Sequence, residues 1–390
     1  MNKFQKKIFS YLNEMVERKA SDLYLVSDMP VVYRIKDELI KIGAEPLTND
    51  AIEKIVQDFL EPDQFEEFYS TFELNLAISN ENEERFRINL FFQQRKISLV
   101  ARHIKSVIPS FEDLKIPTKY KEFIMKERGL FLMVGATGSG KSSSLASMLE
   151  YRNNNGSGHI ITIEDPIEFV FKPRNCIFSQ REINIDTYSY GIALKNALRQ
   201  APDVIFIGEI RDRDSMENAI TFSETGHLVV ATIHSNNTNQ SFERILSFYP
   251  EEVHSQVLMS LSHNLIAIAG QRLVRNSSND VNLAYEILIN EGLITDLIKE
   301  GKFTEIKDVM KSNIDNGMMT FDECLFLMYR QKLISRDTAL KESDNPNNLR
   351  LRLSQYSESN LSTSLKGVTK TSLTENQVSN YALNNKKSDF

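Results

Sequence analysis

The residues Gly135-Ala136-Thr137-Gly138-Ser139-Gly140-Lys141-Ser142, with Ser143 directly behind them, fit the phosphate-binding spacing G-x-x-x-x-G-K-[ST] in full. The glycines let backbone N–H groups turn inward around phosphate oxygens, and a helix starting at the end of the loop adds partial positive charge. Lys141 then reaches the β- and γ-phosphates, and the Ser142 hydroxyl ligates Mg2+. The expected chemistry is binding and hydrolysis of ATP.

Three further groups follow. Glu164-Asp165-Pro166-Ile167-Glu168 places three carboxylates within five residues; in a folded site they repel unless a metal or an ordered water relieves them. A solvated acidic turn cornered at Pro166 is the alternative. Asp203 to Asp212 carries an apolar strand that ends in Gly208 and Glu209, a place where open α/β sheets put ligands. Glu209 there is a candidate for holding Mg2+ through water, whereas Arg211 and Asp212 also fit a surface ion pair. Thr225-Gly226-His227 and His234 bracket an apolar strand, which predicts at least one histidine near the nucleotide. Arg85, Arg87, Arg95 and Arg102 crowd one earlier stretch. They suit charge stabilisation at a transferring phosphoryl group, or a solvated basic strand face.

These groups need a scaffold, and the hydrophobic pattern supplies one. Leu130-Phe131-Leu132-Met133-Val134 precedes the phosphate loop as a buried strand, and Ser143 to Tyr151 follows it as a helix. Ile160–Ile163, Val204–Ile207 and Leu228–Ile233 are similar apolar runs, which together predict a parallel sheet covered on both faces. Residues 1–105 read as a separate mixed α/β domain. Its strands are Leu23–Val26, Val31–Ile35, Phe86–Phe92 and Ile97–Ile104, and its helices lie near Ile8–Met15 and Ile52–Phe59. Residues 106–118, with Pro109 and Pro117, read as a linker. Residues 119–285 form the ATPase core, 286–353 a helical region, and 354–390 a polar tail expected to lack fixed structure.

The 390 residues have ordinary globular composition and a net charge of −7, which gives no global basic excess for nucleic acid. Two cysteines, Cys176 and Cys324, exclude a disulfide framework and a four-cysteine zinc site; they are expected to be buried thiols. The N-terminus lacks the apolar core of a signal peptide, and no run reaches the roughly 20 apolar residues that span a bilayer.

In this order the four core motifs resemble the secretion ATPase superfamily of ring-forming, RecA-like motors. Glu164–Glu168 resembles its aspartate box, Gly208-Glu209-Ile210-Arg211-Asp212 its Walker B segment, and Thr225-Gly226-His227 through His234 its histidine box. Ala20-Ser21-Asp22-Leu23-Tyr24-Leu25 resembles the opening of the PAS-like N-terminal domain of the PilT/PilU family of type IV pilus retraction motors. PilT proteins carry a late Ala-Ile-Arg-Asn-Leu-Ile signature, and the matching Leu293-Ile294-Thr295-Asp296-Leu297-Ile298 lacks its Ala and Arg. His234-Ser235-Asn236-Asn237-Thr238-Asn239-Gln240, Gly317-Met318-Met319-Thr320-Phe321-Asp322 and Asn348-Leu349-Arg350-Leu351-Arg352-Leu353 resemble the PilU branch. The resemblance implies an α/β fold, with an N-terminal PAS-like domain followed by a RecA-like P-loop ATPase domain and a helical C-terminal part. It implies ATP and Mg2+ as ligands, Glu168 as general base, Glu209 as organiser of Mg2+, and His227 and His234 as γ-phosphate sensors. Arg95 and Arg102 are implied to act in trans. It further implies a cytoplasmic homohexamer at the inner membrane, beside a PilT-like ATPase and a pilus platform protein, with no nucleic-acid partner.

Overall fold

The computed structural model describes residues 6–36, 38–104, 107–276 and 280–365, with side chains through 356. The chain packs as two compact units. One comprises Met1–Ile108, Ile161–Pro173 and Phe178–Ala197; the other comprises Pro109–Ile160, Arg174–Ile177 and Leu198–Phe390.

The first unit opens with α1 (Lys7–Glu17), β1 (Asp22–Val26), β2 (Val31–Ile35), β3 (Glu38–Ile42), α2 (Asn49–Phe59), α3 (Pro62–Thr71), β4 (Glu73–Ser79), β5 (Arg85–Gln93) and β6 (Lys96–Ile104). The strands form one six-stranded sheet in the order β3-β2-β1-β6-β5-β4, with antiparallel pairs throughout. Apolar residues on alternate positions of β5 (Phe86, Ile88 and Leu90) bury one sheet face, so Arg85, Arg87 and Asn89 lie on the other. The helix expected from Ile52 starts three residues earlier, because the Thr48 side chain accepts from the Ala51 N–H and caps it. Its buried Ile52, Ile55, Val56 and Phe59 recur at helical spacing against the sheet core.

Next come α4 (Phe111–Leu114), α5 (Lys119–Ile124), β7 (Gly129–Val134), α6 (Lys141–Asn155), β8 (Gly158–Glu164), β9 (Cys176–Glu182), α7 (Tyr190–Ala197), β10 (Val204–Ile207), α8 (Arg213–Glu224), β11 (Leu228–Ile233), α9 (Thr238–Leu246), α10 (His254–Asn264), β12 (Leu265–Arg275) and β13 (Val281–Ile289). The seven-stranded sheet has the order β13-β12-β7-β11-β10-β8-β9. Its centre is parallel, as β7 pairs with both β11 and β12, and β11 with β10. Every residue of β7, β10 and β11 is buried, in keeping with strands covered on both faces. The sheet is not wholly parallel, however: β13 returns antiparallel along β12, since the short stretch between Arg275 and Val281 permits no crossover.

The chain ends in α11 (Leu293–Glu300), α12 (Phe303–Ser312), α13 (Phe321–Arg330), α14 (Arg336–Glu342) and α15 (Pro346–Leu365). The tail expected from 354 therefore begins too early. Leu349 and Leu353 bury one stripe of α15, and Tyr356 adds another turn by packing edge-on to Phe326 and Tyr329. Residues 366–390 lie outside the described residues. Cys176 and Cys324 are buried free thiols. Among the described residues no helix is long and apolar enough to cross a membrane.

Candidate active site

The phosphate loop runs from the end of β7 to Lys141, the first residue of α6. Its three glycines have positive φ, at 153° for Gly135, 78° for Gly138 and 89° for Gly140. Gly135 is also fixed by space: a Cβ there would lie 2.5 Å from Ser139 Oγ and 2.7 Å from the Gln271 carbonyl of β12. Lys141 Nζ donates to the Gly135 and Ala136 carbonyls at 2.7 and 3.0 Å, which holds the ammonium against the loop. The buried Ser139 Oγ has no hydrogen-bond partner among the described residues. Glycines with positive φ, one of them also fixed by space, an orphaned buried hydroxyl and an ammonium at a helix start fit a phosphate ligand. Ala136, Thr137 and Gly138 are exposed, whereas Ser142 and Ser143 are half-buried in the first turn of α6.

A cavity of about 470 Å³ opens over the loop, a size that suits a nucleotide. Gly135, Ala136 and Thr137 line it together with His234, Gln240 and Arg244. His234 lies just past the end of β11, whose partner β7 leads into the phosphate loop. Its Nε2 is 3.2 Å from Glu209 Oε1, while Glu209 Oε2 accepts from Arg211 at 2.7 Å. Glu209, Arg211 and His234 thus form one polar chain beside the cleft. Asp212 caps α8 by accepting from the Ser215 N–H at 2.8 Å, so its local task is helix initiation.

His227 is not brought to the cleft of its own chain. It precedes β11, at the opposite end of that central strand, roughly 20 Å from His234. Thr225-Gly226-His227 is a helix stop: Gly226 has φ 99°, and the His227 N–H donates to the Phe222 carbonyl at 3.1 Å, closing a Schellman motif on α8. A Cβ on Gly226 meets nothing within 4 Å, so its backbone angle, not close approach, calls for glycine.

Several supporting groups carry no recognisable motif. Ser144 and the fully buried Gln271 exchange hydrogen bonds at 2.9 and 3.1 Å, tying α6 to β12. Arg272, stacked on Phe321, donates to the Asn236 carbonyl at 3.0 Å and to Asp344 at 2.5 Å. Asn237 also donates to Asp344, which anchors the loop after His234. Gln240 closes the His234–Gln240 stretch already singled out in the sequence, whereas Arg244, in the last turn of α9, carries no sequence signal.

The acid box belongs to the first unit, whereas the phosphate loop belongs to the second. Its residues alternate: Ile167, Phe169 and Phe171 are buried and Glu168 is exposed. Glu164 is buried, and that burial pushes its carboxyl up to about 7 against hydrogen bonds from Gln180 and the Glu168 backbone. The four arginines separate as well. Arg85 pairs with the buried Glu182 at 3.3 Å, and Arg102 Nε donates to the buried Asp22 at 2.8 Å while its guanidinium stays exposed. Arg95 sits exposed in the β5–β6 turn, where Gln94 and Arg95 both have positive φ.

A family profile described as "Type II/IV secretion system protein" matches residues 2–293. The type IV pilus ATPase PilU of Pseudomonas aeruginosa is 44% identical over 349 residues, covering 89% of this chain and 91% of that protein. The type IV pilus retractation ATPase PilT of the same organism is 35% identical over 329 residues, covering 84% and 96%. A crystal structure of the pilus retraction motor PilT with bound ADP superimposes with a TM-score of 0.83 at 36% identity, covering 88% of this chain and 99% of that one. That likeness makes the fold an N-terminal domain followed by a RecA-like ATPase domain. Matched by the profile over most of its length, the chain belongs to the type II/IV secretion system protein family, in its PilT/PilU group of ATPases.

Proposed function

We propose that this chain is a hexameric motor ATPase that couples ATP hydrolysis to type IV pilus retraction, in a PilU-like accessory role. The observation that carries the reading is the cleft in which the Lys141 loop faces His234, itself bonded to Glu209. Gly135 to Ser143 cradle the phosphates with backbone N–H groups and Lys141. The Ser142 hydroxyl and Glu209, the latter partly through water, would hold Mg2+, which supplies charge neutralisation at the transferring phosphoryl group. Glu168, whose carboxylate is exposed, takes the proton of the attacking water. His234 reads the γ-phosphate, and His227 and the trans-acting Arg95 and Arg102 serve the neighbouring subunit. The 106–118 linker absorbs the hinge motion between the 1–105 domain and the 119–285 core.

In this reading the hexamer is cytoplasmic and peripheral at the inner membrane, where it turns a platform protein beside a PilT-like ATPase. The higher identity to PilU than to PilT, 44% against 35%, supports the accessory assignment. The test is pilus retraction scored after deleting this chain, with and without the PilT-like ATPase, and after restoring it as Lys141→Ala. Loss of retraction that wild type restores and Lys141→Ala does not supports the motor. Full restoration by Lys141→Ala beside an active PilT-like protein would replace it with an ATP-binding coupling subunit. ATP turnover stimulated by DNA would replace it with a nucleic-acid translocase.

A further inference from the structure

The segment that carries Glu168 is held from behind by side chains of β9, all within one compact unit. Gln180 and Glu182 stand two apart on β9 and so share a face. Gln180 accepts from the Phe171 N–H at 2.8 Å and donates to the Phe169 carbonyl at 2.9 Å. The Glu182 carboxylate accepts the Ile167 N–H, and the Glu164 carboxylate accepts the Glu168 N–H. The backbone is therefore gripped on both sides of Glu168, whose own side chain is left exposed between buried Ile167 and Phe169.

Glu182 is only 1% exposed, and its ion-pair partner is Arg85 of β5, with Arg87 acting on it at longer range. A buried carboxylate keeps its charge only when paired, and removing the partner leaves an uncompensated charge that takes up a proton or draws in water. A carboxyl in that state is a weaker acceptor for the Ile167 N–H. The strand carrying Arg85 belongs to the six-stranded sheet, so the brace ties that sheet to the acid box.

We propose that Arg85 and Glu182 are positioning residues for ATP hydrolysis: their ion pair fixes the backbone at Ile167 and thereby the aim of the Glu168 carboxylate. The inference rests on Glu168 being the general base. The Arg85 guanidinium acts in its own chain, which separates it from the trans arginines.

The test is a double-mutant cycle of Arg85→Ala and Glu168→Gln in the full-length protein, with ATP turnover and binding of a fluorescent ATP analogue measured for all four forms. Arg85→Ala is expected to lower kcat about tenfold, since a base displaced by an ångström or less loses much of its effect. KM and analogue affinity should stay within about twofold, Arg85→Lys should recover part of the loss, and Arg85→Ala should cost nothing further in the Glu168→Gln background. A rise in KM at unchanged kcat, or the same tenfold loss in both backgrounds, overturns the positioning role and leaves the base assignment standing. Wild-type turnover in Glu168→Gln overturns the base assignment and the positioning role with it. Should Arg85→Ala fail to fold, Glu182→Gln carries the same cycle. It keeps an acceptor for Ile167 and removes only the charge pair, so a smaller kcat loss that vanishes beside Glu168→Gln is expected, and an additive loss refutes the inference.

Discussion

Gly135→Ala tests the phosphate loop where its geometry is most constrained. The added methyl would lie 2.5 Å from Ser139 Oγ and 2.7 Å from the Gln271 carbonyl. The serine hydroxyl can rotate away, but the carbonyl is backbone of β12, paired on either side with β7 and β13. Forcing such an overlap costs about 1–3 kcal/mol, and an L residue at a φ of 153° adds about 1–3 kcal/mol. Gly138→Ala isolates the second contribution, because its φ is 78° and a Cβ there meets nothing within 4 Å. Central values are about 4 kcal/mol for Gly135→Ala and about 2 kcal/mol for Gly138→Ala. At about 3 °C per kcal/mol for a unit of this size, the expected falls in melting temperature are about 12 °C and about 6 °C. Differential scanning calorimetry of the two variants, with ATP turnover alongside, measures both. A Gly135→Ala protein no less stable than Gly138→Ala and still turning over ATP would refute the claim that β12 closes on the loop.

Lys141→Ala is expected to abolish ATP hydrolysis in purified protein, and retained turnover would sink the phosphate-loop assignment. Arg102→Gln should lower turnover by acting on a neighbour's nucleotide, with some loss of stability because the buried Asp22 loses its nearer cation and keeps Arg34, at 3.5 Å, and the Ser21 hydroxyl, at 2.9 Å. Activity of mixed hexamers that falls in strict proportion to the mutant fraction would leave trans action without support. Glu164→Gln should change how stability depends on pH. The Glu164 carboxyl has an ordinary value of 4.5 that burial raises to about 7, so between these values the folded state holds the extra proton and stability falls as pH rises. Relative to wild type, Glu164→Gln should therefore gain about 3 kcal/mol from pH 4.5 to 7 and level off above. Parallel denaturation curves at pH 5 and 8 for both proteins would contradict the buried, raised carboxyl.

Much of this was readable in the residues, for physical reasons that also mark where reading stops. β7, β10 and β11 announced themselves because strands covered on both faces are apolar without interruption. The β12–β13 pair did not, since α10 runs from Asn264 directly into Leu265 with no turn residue between. Thr225-Gly226-His227 shows how one spelling serves two ends, as the glycine that suits a ligand loop also suits a Schellman stop. Glu182 left no trace in sequence at all. Its partner Arg85 is 97 positions away, and only the packed unit makes the pair visible.

The acid box shows how folding resolves a charge problem that sequence can only state. Three carboxylates in five residues call for relief, and a metal or an ordered water is one way to supply it. The structure supplies another by giving neighbouring acids opposite surroundings. Ile167, Phe169 and Phe171 turn inward, which sends Glu168 out to solvent, while Glu164 at the end of β8 is buried. With its carboxyl pushed up to about 7, Glu164 is partly protonated near neutral pH, and its charge no longer opposes that of Glu168 in full. The same burial turns Glu164 into a brace, because a carboxyl removed from water needs hydrogen-bond donors, and those it finds include the Gln180 amide and the Glu168 N–H. One acid is thus spent on holding and the other left exposed, because β8 is buried through its last residue, Glu164, while the alternation that begins at Ile167 turns Glu168 outward.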